Sequence, residues 1–301
     1  MCGFALPGSI NRFMVSSMDL YYLGLPMWSN RQWIGGLFSR GATSKNFLRH
    51  YSSVFSAVEG NTTFYALPSV DVVKGWKEQV QTGFRFNFKF PRKITHENFL
   101  RYCGVELSEF LKRVEPLSDN LGAFMIQLPD SFEPRQLDDL EKFLKQLPGS
   151  FQYSVEVRHL DFFNRGDEET ALNHLLQSCN VDRVCFDSRA LFSKPAVTEQ
   201  EKDAHRKKPR LPVHAIATAN DPVIRFIGSS DFHHNQQYLL PWVEKITQWA
   251  QQGIKPTVFI HTPDNERAPE QAAMFHQLLS GVEGWQPLSR TIKDEAQLAI
   301  F

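Results

Sequence analysis

The chain has 301 residues, 42% of them hydrophobic, and its 33 Lys and Arg match its 33 Asp and Glu for a formal net charge of zero. That length supports one large domain with an ample core, and the charge balance excludes a generic polyanion-binding protein while leaving room for a local basic patch. Four cysteines, Cys2, Cys103, Cys179 and Cys185, show neither paired metal spacing nor the density of a secreted disulfide scaffold, so they read as reduced thiols of a cytoplasmic protein.

Residues 1–18 lack an apolar signal core and a small-residue cleavage site. They are expected to form a disordered tail, with Met18 a candidate for the biological start. No apolar run approaches the roughly 20 residues of a membrane span. In order, Asp19–Pro26 reads as a short strand and Thr43–Ser53 as a helix. Val54–Tyr65 reads as a strand with its exit turn, and Ser69 caps a helix through Val80 with Val72, Val73 and Trp76 inward. Phe84–Pro91 alternates aromatic and polar residues with period two: Phe84, Phe86, Phe88 and Phe90 share one face, Arg85, Asn87 and Lys89 the other. A loop and a helix over 105–114 follow, then a strand over Gly122–Leu128. Pro134 opens a helix to Leu147. Gln152–Arg158 is a strand, Asp167–Ser178 a helix and Arg183–Asp187 a strand. Ser188–Pro222 reads as a long irregular segment leaving the ligand face; its basic run from His205 to Arg210 reads as a solvated loop, ranked above a lid or phosphate contact, and His233-His234 as another loop. Pro222–Gly228, Tyr238–Gln252, Lys255–His261 and Pro269–Leu279 read as strand, helix, strand and helix.

Eight strands alternating with helices imply parallel pairing. Eight such units over residues 19–290 predict an α/β fold, a single-domain (β/α)8 TIM-like barrel, with a carboxyl-terminal tail over 291–301. An open doubly wound sheet competes, but no Gly-x-Gly-x-x-Gly follows the first strand. If apolar positions face the outer helices, the residues left to face inward near strand ends are Glu59, Asn61, Lys89, Gln127, Glu156, Arg158, Asp187, Arg225 and His261. Buried without partners, such groups cost several kcal/mol each, so they pair with each other, with water or with a ligand. An internal ion-pair lattice and a ligand pocket shaped from that lattice both satisfy this demand.

At these residues the chain resembles the YecE-like proteins, domain-of-unknown-function family seventy-two. The resemblance rests on Gly-Leu-Pro-Met-Trp-Ser at 24–29, Val-Glu-Gly-Asn-Thr-Thr-Phe-Tyr at 58–65, the Phe-rich strand at 84–91, Val-Glu-Val-Arg-His at 155–159, Asp-Ser-Arg at 187–189 and Ile-Arg-Phe-Ile-Gly at 224–228. It implies a TIM-barrel-like fold and no reaction. A loose fold likeness of the family to endonuclease IV and xylose isomerase barrels suggests nucleic-acid or sugar chemistry, and fold likeness is a weak warrant.

The residues point first to a small anionic ligand, phosphate or carboxylate, sugar- or nucleotide-like, at the carboxyl ends of the strands. Arg158 and Arg225 form its clamp, Glu156 is the acid/base group and Lys89 its electrostatic partner. A Schiff-base role for Lys89 ranks below an ion pair. Trp28 and Tyr65 offer faces for stacking a base or sugar, against a reading as rim packing. No cofactor is expected. The alternative is a metal-dependent, endonuclease-IV-like phosphodiesterase holding a divalent ion among Glu59, Glu156, Asp187, His96, His159 and His261, a set the inward cations oppose. A barrel that binds a ligand or nucleic acid without turnover is the non-enzymatic alternative. Oligomeric state is left open.

Overall fold

The computed structural model describes residues 20–289. The tails expected over 1–18 and 291–301, and the start considered at Met18, lie outside them. The strands are β1 (Tyr22–Leu25), β2 (Ala57–Gly60), β3 (Arg85–Phe88), β4 (Phe124–Gln127), β5 (Tyr153–Glu156), β6 (Asp182–Arg183), β7 (Cys185–Asp187), β8 (Val223–Ile227) and β9 (Thr257–His261). The helices are α1 (Phe47–Ser52), α2 (Thr62–Tyr65), α3 (Val70–Lys77), α4 (Gly104–Val114), α5 (Leu137–Leu144), α6 (Asp167–Ser178), α7 (Glu199–Lys207), α8 (Phe232–Gln251) and α9 (Ala268–Leu278). All strand pairings are parallel, in a six-stranded sheet ordered β3-β2-β1-β9-β8-β7 and a three-stranded sheet ordered β4-β5-β6.

The two sheets touch at both ends. Isolated parallel bridges join Phe86 to Leu121 and Lys89 to Met125. On the other side the expected sixth strand is split: β6 pairs with β5, β7 pairs with β8, and only Val184 separates them. The Val184 amide donates to Val155 O at 2.9 Å. One extended segment therefore serves two sheets in succession.

Strand side chains separate into two sets, as the two-residue period requires. One set packs on the helices. Phe84, Phe86, Phe88 and Phe90 are all buried there; Phe86 stacks on Phe88 with centroids 5.2 Å apart, and Trp76 of α3 lies 5.6 Å from Phe88. Of the α3 residues expected inward, Val73 is buried and Trp76 half-buried, but Val72 is exposed. The other set packs strand against strand across both sheets: Ala57, Ala123, Met125, Val184, Val223 and Phe259. Gly24 makes room here, because a Cβ at that position would fall 2.2 Å from Ala57 O.

Two further segments differ from the sequence reading. The stretch from Ser188 to Pro222 contains α7, opened by a capping box in which Thr198 accepts from the Glu201 amide and Glu201 accepts from the Thr198 amide. Its sequence is polar nearly all round, so no apolar stripe announces it. Helix α8 starts at Phe232, six residues before the expected start, because Asp231 caps the His234 amide at 3.0 Å. His233 and His234 thus lie in a first helical turn.

Candidate functional site

The polar residues of the strand-facing set converge at the carboxyl ends of the strands. Arg225 is their centre. Its Nε and Nη2 donate to Glu59 Oε2 and Oε1 at 2.9 and 2.8 Å, and its Nη1 donates to Glu156 Oε2 at 2.5 Å. Arg158 holds the other oxygen of Glu156 through Nε and Nη2 at 2.9 and 2.8 Å. His261 Nε2 lies 3.1 Å from Glu59 Oε2. Lys89 Nζ donates to Gln127 Oε1 at 2.9 Å and lies 3.4 Å from Glu59 Oε1. The parallel register creates this meeting, since Gln127 pairs with Glu156 and Ile227 with His261 at the same level.

Burial and charge compete at each group. Burial pushes the Glu156 carboxyl up, but Arg225, Arg158 and Lys89 prevail and hold it down at about 2. Glu59 is also held well below the usual carboxylate range: Arg225, Lys89 and His261 overcome its burial. Burial lowers His261 to about 4 despite Glu59, so at neutrality its imidazole is uncharged and Nε2 donates to Glu59. Burial, reinforced by Arg225, lowers Lys89 to about 7.

A cavity of about 780 Å3 opens over this lattice. Glu59, Asn61, Lys89, Gln127, Arg158, Arg225 and His261 line it, with Met27, Trp28, Phe64 and Tyr65 forming an apolar wall. Tyr65 stands at the rim, 80% exposed. Asn61 also does structural duty, its Nδ2 donating to Pro26 O at 2.9 Å. Trp28 is half-buried and meets Trp76 edge-on at 5.2 Å.

Three assignments made from the sequence change. Asp187 is buried but points away: it accepts from Trp242 Nε1 of α8 at 2.8 Å and pairs with Arg189. In its strand Phe186 takes the strand-facing side, its ring 5.4 Å from the Arg225 guanidinium. An apolar residue facing the strands reversed the expected alternation. Glu156 lies beneath the cavity wall with both oxygens bound by arginines, a poor position for an acid or base. Arg225, spent on two carboxylates, is the keystone of the lattice rather than a free clamp.

Sequence reasoning did not single out Lys208, leaving it in a basic run read first as a solvated loop. Lys208 follows α7 directly, its amide donating to Ala204 O at 2.9 Å, and it lines the cavity; its ammonium makes no hydrogen bond or ion pair among the described residues. Burial lowers it to about 8, with Arg225 adding to the effect. Its signal was the basic run itself, unreadable until α7 carries it over the strand ends. His96, in a π turn over Lys93–Glu97, is half-buried against Phe64 at 5.0 Å and lowered to about 4, chiefly by burial. The candidate metal donors do not gather: Glu59 and Glu156 are separated by Arg225, Asp187 faces α8, and His159 lies 3.6 Å from Asp161. Among the described residues, no group of three His, Cys, Asp or Glu is placed to hold a metal ion.

These features define an α/β protein of parallel strands whose strand ends carry a buried ionic lattice under a cation-lined cavity. The chain belongs to the DUF72 family, described as "Protein of unknown function DUF72", whose model matches residues 22–294. It is similar to the UPF0759 protein YecE of Escherichia coli K12, 44% identical over 275 residues that span 91% of this chain and 95% of that one. Among solved structures it is similar to a DUF72 family protein of Thermotoga maritima, with TM-score 0.67 and 21% identity over 86% of this chain and 99% of that one. A DUF72 family protein of Enterococcus faecalis gives TM-score 0.66 and 20% identity, over 88% and 99%. At such identities the structures speak to the fold alone. Among the described residues no helix is long and apolar enough to cross a membrane.

Proposed function

We propose that the two sheets are one closed (β/α)8 cylinder, and that its mouth receives a small organic anion, a phosphate or carboxylate on a sugar- or nucleotide-like body. The bridges between Lys89 and Met125 and the shared segment from Asp182 to Asp187 support closure. The charge tally carries the ligand reading. Glu59 and Glu156 are already balanced by Arg225 and Arg158, so Lys208, and Lys89 when protonated, are surplus cations facing the cavity. A surplus cation in a partly desolvated site favours an anion from solution. The apolar wall from Met27 to Tyr65 suits the body of such a ligand. The cytoplasmic setting read from the cysteines belongs to the same proposal; Cys103, Cys179 and Cys185 are free thiols.

Calorimetric titration with inorganic phosphate at low ionic strength tests the reading. We expect saturable binding, weakened about tenfold by Lys208→Met, a loss matching the ~1.4 kcal/mol of one charge-assisted contact. Equal affinity in wild type and variant would remove Lys208 from the site. A labelled oligonucleotide measured across a salt series separates the nucleic-acid alternative, for which log affinity falls linearly with log salt.

A further inference from the structure

We propose that Lys89 is a Schiff-base nucleophile, and that the cavity takes small aldehydes or ketones bearing a phosphate or carboxylate. The ligand class rests on the anion reading above; the amine chemistry rests on Lys89 alone. A neutral amine has two N–H bonds and one lone pair. Around Lys89 Nζ stand two acceptors, Gln127 Oε1 at 2.9 Å and Glu59 Oε1 at 3.4 Å. One N–H donates to Gln127 Oε1, while Glu59 Oε1 is a longer ion-pair neighbour, so the second N–H and the lone pair share the remaining tetrahedral positions. Lys89 lines the cavity, which gives that lone pair a space to meet a carbonyl carbon.

The lattice does not require Lys89 to be charged. Glu59 already accepts both Nε and Nη2 of Arg225 and the imidazole of His261. With Glu156 matched by Arg225 and Arg158, two carboxylates face two guanidiniums and the account is neutral without an ammonium. Burial and the Arg225 charge work together against protonation of Lys89, down to about 7, one of the general ways proteins activate an amine.

The step balances. The Lys89 lone pair forms a C–N bond to the carbonyl carbon. The two amine protons leave with the carbonyl oxygen as water, and an imine remains. Protonation gives an iminium whose nitrogen stays beside the Glu59 carboxylate, a counter-charge held in place by Arg225. Lys208 and the outer side of Arg158 are left for the anionic end.

Reductive trapping tests this on the full chain. Wild-type protein is incubated with a modest excess of glycolaldehyde phosphate, or of glyoxylate, and cyanoborohydride, then analysed by intact mass and peptide mapping. We expect one adduct per chain on Lys89, competed by inorganic phosphate, absent in Lys89→Met and Lys89→Arg, and at least tenfold weaker with neutral glycolaldehyde. An adduct spread over exposed lysines with Lys89 unmodified overturns the proposal in wild-type protein, whether or not the variants fold. Unmodified Lys89 in a protein that still takes up phosphate rejects the nucleophile and keeps the anion site. Lys89 labelled equally by neutral glycolaldehyde, with no phosphate binding, keeps the nucleophile and rejects the anion site. Glyoxylate trapped without glycolaldehyde phosphate assigns a carboxylate end, and the reverse assigns a phosphate.

Discussion

Arg225 and Lys89 are both buried basic side chains in contact with Glu59, yet their removal has different consequences. Arg225 supplies three hydrogen bonds to two carboxylates. Removing one partner of a buried ionic cluster leaves uncompensated charge, a loss of about 3–5 kcal/mol. Arg225→Met is therefore expected to lower the urea midpoint strongly, read by far-UV circular dichroism. Lys89 instead resists protonation in the folded state. A lysine with a depressed folded value contributes nothing at a pH above its unfolded value of 10.5, and it opposes folding increasingly as pH falls toward about 7. Lys89→Met is expected to cost less than about 1 kcal/mol at pH 7, and a loss as large as that of Arg225→Met would show that the lattice needs the ammonium. Lys208 brings a sign of its own. It faces Arg225, Arg158, Glu59 and Glu156, and an anion raises its proton affinity. Phosphate binding should take up a fraction of a proton near pH 8 and weaken as pH rises through that value, which titrations in buffers of different ionisation enthalpy will register.

At the scale of elements, β3 shows why some structure is legible in sequence. The four phenylalanines in and beside it, Phe84 to Phe90, all face helices and the polar residues between them face strands, so period-two alternation sufficed. Phe88→Ala removes a ring stacked between Phe86 and Trp76 and should cost about 3–5 kcal/mol in equilibrium unfolding. The same alternation misled in the segment holding Val184 and Phe186, because these apolar side chains pack between strands while Asp187 reaches Trp242. The rule that apolar positions face helices holds only where the strand-facing layer is polar, and at Phe186 that layer needed a ring against Arg225. Glu59, Arg225 and His261 were found from residues 202 apart at most in sequence, since parallel strands of similar length bring their ends level. Lys208 was not singled out from its basic run, because nothing local tells a basic loop from a basic helix carried across a cavity. Thr198→Ala, which removes one half of the α7 capping box, should cost about 1 kcal/mol of local stability, measured as faster amide exchange in residues 199–207.

For the whole molecule, the lattice sets the acid limit. Glu156 has its folded pKa lowered from 4.5 to about 2. Such a carboxylate adds stability that is fully present above 4.5 and is lost as pH falls toward 2. Thermal midpoints should decline below about 4.5. In Glu156→Gln the midpoint at pH 7 should be lower and its acid decline shallower. An equally steep decline in the variant would assign acid sensitivity to other carboxylates. Lys208, like Lys207 before it and unlike Lys89 and Arg225, is anchored to no strand. It hangs from a nine-residue helix of which Ala204 alone is buried. If the proposed anion is held there, its residence time and the breathing of residues 199–208 should lengthen or shorten together, and rewriting this one overhang would trade one guest for another.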